Sequence, residues 1–220
     1  MSYESLLHTV EEKIDNVDSW TWIEEDWEGF RWPKEDWQNA IKELIDKHVQ
    51  NRTVVVQAGG LQGMYPRLLS DMFERVYTFE PDPLSFHCLV NNCQKDNIIK
   101  IQAAIGESFG LIDMLRYCSH NVGMNSVIAG NRYPMFTIDS LALDACDFIQ
   151  LDIEGLEIPA LRGARETINK FRPVICIETR IGTEEAVRNH MKDLKYYEVD
   201  QYHHDSFWLP INNRQVDDFV

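Results

Sequence analysis

Thr53-Val-Val-Val-Gln-Ala-Gly-Gly-Leu-Gln-Gly-Met-Tyr65, followed by Tyr77-Thr-Phe-Glu-Pro81, is the stretch on which the reading of this chain turns. Val54, Val55 and Val56 form an uninterrupted β-branched run, the pattern of a parallel strand buried on both faces. Gly59, Gly60 and Gly63 then let the backbone turn tightly and approach a ligand with no Cβ in the way. The pattern predicts a helix from about Met64 through Leu68, Leu69 and Met72, and a second strand from Val76 to Phe79. That strand ends on Glu80, near the spacing from the glycines at which the acid of a nucleotide-binding βαβ unit meets ribose hydroxyls. The spacing points to a ligand that carries a ribose.

Working outward, strand, glycine loop, helix, strand and acid are common to dinucleotide-dependent oxidoreductases and to methyltransferases that use S-adenosylmethionine (SAM). Ala58 to Gly63 reads as G-x-G-x-x-G with its first glycine replaced by alanine, so an NAD(P)-dependent oxidoreductase stays open at this point. A glycine-rich turn without a ligand is the plainer alternative.

Beyond Glu80, Pro81-Asp82-Pro83 turns the chain into a helix through Phe86, Leu89, Val90 and Cys93, and Ile98 to Ile105 reads as a third strand. Its end, Ala103-Ala104-Ile105-Gly106, is small and flat, which suits an adenine ring lying against it or packing alone. Phe109–Tyr117 and Tyr133–Ile138 read as extra strands around a polar loop, His120 to Ser126, which either shapes a substrate pocket or merely connects them. Asp147 to Leu151 is a buried strand that runs into Asp152, Glu154 and Glu157, with a helix through Ile158, Leu161, Ala164 and Ile168 behind it. Arg172 to Ile177 is another apolar strand, capped by Glu178. A helix from about Thr183 to Lys195 and two antiparallel strands, Tyr196–Tyr202 and Ser206–Leu209, complete the order.

Before the glycine-loop strand, Pro33 opens a helix whose stripe is Trp37, Ala40, Ile41, Leu44 and Ile45. Residues 1–32 differ in character and are read as an acidic, Trp-rich extension to a domain spanning 33–220. Leu6, Leu7, Val10, Ile14 and Val17 predict an amphipathic helix over about Ser5–Val17. Five of the six tryptophans fall between Trp20 and Trp37, and up to Arg31 nine acids face two bases. The indoles read either as a cap over the site or partner surface, or as anchors on the side of the main domain.

Composition sets the bounds. The 220 residues, 44% hydrophobic and 26% charged, suit one soluble α/β core. The formal charge of −15 argues against nucleic acid as a partner. No membrane-length apolar run or signal peptide is evident, and a cytoplasmic location is expected, with no membrane partner; a homo-oligomer is compatible with the sequence. The five scattered cysteines fit reduced thiols.

Asp152-Ile-Glu-Gly-Leu-Glu157, with Leu161-Arg-Gly-Ala164 after it, resembles the FkbM family of SAM-dependent methyltransferases. The glycine loop, Phe79-Glu-Pro-Asp-Pro83, Ala104-Ile-Gly106, Thr137-Ile-Asp-Ser-Leu141 and Pro173–Glu178 occur in that family's order. The resemblance implies a Rossmann-like α/β fold of class I methyltransferase type. Its seven-stranded sheet, of order 3-2-1-4-5-7-6 with the last strand antiparallel, would carry helices on both faces. It implies that Gly59, Gly60 and Gly63 contact the methionine part of SAM, Glu80 with Pro81 and Asp82 the ribose side, and Ala104 the adenine. Gln57 stands where the family has an acid, so the pull on the methionine ammonium would be weaker; a catalytically silent binding module is the reading that this departure favours.

The chemistry expected is methyl transfer to a hydroxyl of a small molecule or sugar, which needs an aligned oxygen and a base. Asp152, Glu154 and Glu178 stand where parallel strands end, and Asp152 also falls within the cofactor's reach. They could supply the base or hold a divalent cation. Glu157 reads as a fourth such group; alternatively, Glu154 and Glu157 read as acids that cap the following helix. His203 and His204 read as surface residues of a hairpin, and His120 in the polar loop as a candidate base.

Overall fold

The structure is a computed structural model that describes residues 7–10, 20–23, 26, 34–116 and 120–211, with the backbone alone at 7–10, 34 and 35. Two short strands, β1 (Leu7–Val10) and β2 (Trp20–Ile23), pair antiparallel with Leu7 opposite Ile23 and Val10 opposite Trp20. This corrects the helix expected over Ser5–Val17, at least at Leu7–Val10. A spacing that fits one helical face was overridden by an available strand edge, which β-branched Thr9 and Val10 suit. Leu6, Ile14 and Val17 lie outside the described residues, as do Trp27 and Trp32.

Helix α1 (Lys34–His48) turns Trp37, Ile41 and Ile45 inward at four-residue intervals. It leads into β3 (Val54–Ala58), all of whose residues are buried. Val54, Val56 and Ala58 join the core on one side of the sheet, whereas Val55 joins the core on the other. Each fully buried valine stabilises the fold by roughly 1.5–3 kcal/mol. The start of β3 is pinned by Asp147, whose carboxylate accepts the Thr53 and Val54 amides at 2.8 and 3.0 Å.

The glycine turn leads to α2 (Met64–Ser70), β4 (Arg75–Phe79), α3 (Pro83–Asn92) and β5 (Ile98–Ile101). The third strand stops earlier than expected. Ala104–Ile105 forms a separate strand, β6, which pairs parallel with β9 (Tyr133–Phe136) in a second sheet of order β6-β9-β7-β8. In that sheet β7 is Gly110–Leu115 and β8 is Ser126–Ala129. β8 takes up the end of the supposed polar loop, leaving 120–125 as the connection.

β10 (Phe148–Leu151) lies parallel to β3 and to β11 (Val174–Glu178). The helix expected after β10 is broken into α4 (Glu157–Arg162) and α5 (Arg165–Phe171). A Cβ on Gly163 would lie 2.1 Å from the Gly106 carbonyl, so the break lets two backbones touch. Asp139 accepts the Glu166 and Thr167 amides at 3.0 and 2.8 Å and so restarts the helix. After α6 (Glu184–Asp193), β12 (Tyr196–Tyr202) and β13 (Asp205–Pro210) close the main sheet.

That sheet runs β12-β13-β11-β10-β3-β4-β5, with only β13 antiparallel to its neighbours. Numbering these seven strands along the chain, the order is 3-2-1-4-5-7-6. The core holding Val54 and Val56 takes Leu161, Ile168, Val187 and Met191 from α4, α5 and α6. The opposite core takes Ile41, Ile45, Leu68, Leu69 and Leu89 from α1, α2 and α3. Helices thus cover both faces, and the carboxyl ends of β3, β4, β10 and β11 open along one edge. Among the described residues no helix is long and apolar enough to cross a membrane, and the four described cysteines, Cys88, Cys93, Cys146 and Cys176, are free and buried.

Candidate active site

The cleft lies at this carboxyl edge, where α/β sheets take ligands. One lobe is lined by Gly59, Leu61, Glu80, Ala104, Gly123 and Asp152, among others. Gly59 has φ 87°, and a Cβ there would lie 1.8 Å from the Asp152 carbonyl oxygen, so glycine is required. The Gly59 and Gly60 amides both donate to the Phe79 carbonyl, at 3.1 and 2.8 Å, which ties the loop to the end of β4. Gly63 sits behind the lobe as the residue that caps α2, packed against α3.

Glu80 follows β4 and is 6% exposed. Its carboxylate accepts the Leu61 amide and the Asp82 amide, both at 2.8 Å. Burial raises its pKa to about 7 despite these two bonds. Pro81 lines the same lobe. Asp82 does too, but its oxygens are taken up by the Leu84 and Ser85 amides of α3 and by the Arg116 guanidinium. Ala104, beside Ala103 and Ile105, gives the lobe a flat apolar wall.

Gln57 falls elsewhere. It is buried in the sheet, donates to the Gly59 carbonyl at 2.9 Å and accepts from the Thr78 hydroxyl. Its amide holds the glycine turn from below and lines neither lobe.

A second, wider lobe of about 590 Å³ adjoins the first and shares Gly59, Leu61, Gly123, Asp152 and Glu154 with it. Oxygens of Asp152, Glu154 and Glu178 lie within 4.8 Å of one another. Burial, then Glu178 beside it, raises Asp152 strongly. The same two causes take Glu154 to about 7, against the opposing pull of Arg180, which pairs with it. Asp205, opposite Glu178 across β11 and β13, is also pushed to about 7, by burial first and Glu178 second. The negative charge of Glu178 thus adds to burial in making Asp152, Glu154 and Asp205 harder to ionise than ordinary carboxyls. Glu157, by contrast, folds back to accept the Ile153 and Gly155 amides, which places it with the helix-capping reading.

Trp37 and Tyr65 form an aromatic wall of the second lobe, and His203 and His204 stand at its mouth. The two histidines occupy the β12–β13 turn as expected of a hairpin, but that turn opens on the carboxylates. The His204 carbonyl accepts the Thr179 amide at 2.8 Å, anchoring the turn beside Glu178. His120 is exposed and lines neither lobe. Trp20 and Trp22 follow the anchoring reading: both are buried, and Trp20 packs under the Arg67 guanidinium. Tyr65, Trp37 and Asp205 were not read from the sequence as site residues. The signal for Asp205 is topological, since an antiparallel strand beside β11 must begin where β11 ends.

The family model described as Methyltransferase FkbM domain matches residues 64–196. The chain belongs to the FkbM methyltransferase family. SAM is the cofactor that goes with it. An FkbM methyltransferase from Methylobacillus flagellatus is 22% identical, with a TM-score of 0.57 over 74% of this chain and 45% of that one. This FkbM chain therefore spans less than half the length of that relative. A ribosomal protein L11 methylase from Lactobacillus delbrueckii subsp. bulgaricus, 5% identical, has a TM-score of 0.51 over 81% of this chain and 80% of its own. A SAM-dependent methyltransferase from Aquifex aeolicus, 14% identical, has a TM-score of 0.49 over 83% and 94%. No curated protein matches the chain. At these identities the Methylobacillus and Lactobacillus structures speak for the fold alone and leave the acceptor to the site itself.

Proposed function

We propose that this FkbM methyltransferase transfers the methyl group of SAM to a hydroxyl oxygen of a small molecule or sugar. The observation that carries the reading is the junction of the two lobes at Asp152 and Glu154, where the groove lined by Gly59, Glu80 and Ala104 meets a wide, carboxylate-lined space. Bound SAM supplies a methyl group already activated by its sulfonium. Glu80 would take the ribose hydroxyls, the Gly59–Gly60 turn the methionine part, and the Ala104 wall the adenine. Asp152, Glu154 and Glu178 would orient the acceptor hydroxyl and receive its proton as the oxygen–carbon bond forms and the carbon–sulfur bond breaks.

A carboxylate whose pKa is raised toward 7 is a stronger base than an ordinary one and is still largely ionised above pH 7, which suits that task. The same three oxygens also suit a divalent cation, which would acidify the hydroxyl. The acidic lobe and the charge of −15 disfavour phosphate-bearing acceptors, nucleic acid among them. In this reading residues 33–220 form the SAM-binding domain, residues 1–32 are an extension on it, and the protein works in the cytoplasm.

The test is transfer of labelled methyl from SAM to a panel of neutral sugars, phenols and amines, with oligonucleotides as a polyanionic comparison. Turnover confined to hydroxyl acceptors supports the proposal. Transfer to amines or oligonucleotides alone overturns it, and S-adenosylhomocysteine (SAH) binding without turnover on any acceptor favours a silent binding module.

A further inference from the structure

The glycine loop is fastened to the sheet through Gly59, Gly60 and Leu61, and it has a further anchor outside the sheet. Leu61 is held by Glu80, as described above. Gln62, the next residue, is fully buried, and its side chain is turned to the segment around β2. Its Oε1 accepts the Ile23 amide at 3.0 Å and its Nε2 donates to Asp26 Oδ2 at 2.5 Å, while its carbonyl accepts from the Asn92 side chain at 2.7 Å. Asn92 in turn bonds Thr21 through both its Oδ1 and its Nδ2, at 2.7 and 2.8 Å.

Asp26 is 1% exposed. Its second oxygen accepts the Val122 amide at 3.0 Å. Val122 begins the single turn Val122–Met124, and Val122 and Gly123 line the cofactor lobe together with Leu61, whose Cδ2 would lie 3.9 Å from a Cβ on Gly123. One carboxylate, far ahead of the glycine loop in the chain, therefore joins the loop to the wall formed by Val122 and Gly123. The backbone of Asp26 is fixed as well: its amide donates to the Ile23 carbonyl and its carbonyl accepts the Trp22 indole N–H, both at 3.0 Å.

We infer that Asp26 is a positioning residue for the cofactor, a clamp that sets how the two walls of its lobe, the glycine loop at Leu61 and the turn at Val122–Gly123, sit against one another. The inference rests on the SAM reading of this lobe. The network has a defined polarity that dictates the experiment. Asp26 supplies two acceptors, and the groups that meet them from the two walls are both donors. In Asp26→Asn one of those donors meets an NH₂ group. Gln62 cannot relieve this by flipping, because its Oε1 is needed by the Ile23 amide. In Gln62→Glu two carboxylates face one another. The double variant D26N/Q62E gives each of these donors an acceptor again. The amide introduced at position 26 donates to the carboxylate introduced at position 62 and accepts from Val122, and that carboxylate also accepts from Ile23.

The experiment compares wild type, the two single variants and the double by calorimetry with SAH, by thermal melting, and by hydrogen exchange at the amides of residues 61–63 and 122–124. Each single variant is expected to weaken SAH binding by about 10- to 100-fold, as a buried unsatisfied group would. Both loop segments should lose protection together, and the double variant should return to within about threefold of wild type. A merely structural role would lower the melting temperature but leave the affinity unchanged well below it. Singles that bind like wild type, or a double no better than the worse single, overturn the inference. If wild type itself binds no SAH, the donor reading falls separately. Exchange then decides the clamp: joint loss of protection at both segments in D26N, restored in the double, upholds it, and loss at only one segment overturns it.

Discussion

The burial of Glu80 makes cofactor binding depend on pH in a direction and size that can be worked out in advance. Its pKa in the empty site is raised from 4.5 to about 7. Ribose hydroxyls donate to a carboxylate, so binding selects the ionised form, and the apparent affinity falls by the factor 1 + 10^(pKa − pH). That factor is about 11 at pH 6 and about 1.1 at pH 8, so SAH should bind roughly tenfold more weakly at pH 6. Stability of the empty protein should move the opposite way. A carboxyl raised in the folded state holds its proton more tightly than the unfolded chain does. Its cost is therefore absent below about 4.5, grows as pH rises, and is complete above about 7, on the order of 3 kcal/mol for Glu80 alone. Calorimetry with SAH at pH 6, 7 and 8, alongside melting of the empty protein, reads both. Glu80→Gln is the control that separates Glu80 from Asp152 and Asp205: it should bind SAH about 10- to 100-fold more weakly and lose the tenfold pH step. An affinity flat between pH 6 and 8 in wild type, or a step that persists in the Gln variant, would show that the ribose is not held by Glu80.

Gly59→Ala should abolish measurable SAH binding and destabilise the fold by at least about 2–3 kcal/mol, because its Cβ would lie 1.8 Å from the Asp152 carbonyl at φ 87°; melting and calorimetry read the two effects. Asp152→Asn and Glu178→Gln should lower turnover by about 10²- to 10⁴-fold, the range of acid–base assistance. In Glu178→Gln SAH binding should be retained, since Glu178 lines only the second lobe. Gln57→Glu, which restores the family's acid, should gain no affinity for SAH. It should instead cost about 1–3 kcal/mol of stability, because the amide that donates to the Gly59 carbonyl is lost in a buried place.

The contrast between Gln57 and Gly59 shows what a sequence can say about such a site. Three consecutive valines announce a buried strand because β-branched side chains suit a pleated sheet better than a helix, and Gly59 announces a close approach because a Cβ there strikes the Asp152 backbone. Both are local properties. The direction of Gln57 depends on alternation along β3, which turns it to the same side as Val55 and away from the cleft, where it meets Thr78. A position that the resemblance assigns to the cofactor was thus readable as a position and not as a contact. β1 failed for a related reason: its helical spacing was real, but the partner that decided the outcome, Trp20–Ile23, lies outside the local window. The histidine turn was legible in kind, and its place followed once β13 was known to run antiparallel beside β11, bringing Asp205 opposite Glu178. Asp26 left no such trace, one acid among nine in the first thirty-one residues. What distinguishes it is a pair of facing donors, Gln62 and Val122, contributed by the glycine loop and by the loop before β8. Carboxylates at the edge of the sheet are therefore predictable here from strand ends, whereas a residue that joins two loops of the lobe, as Asp26 does, is predictable only from the fold that brings those donors to it.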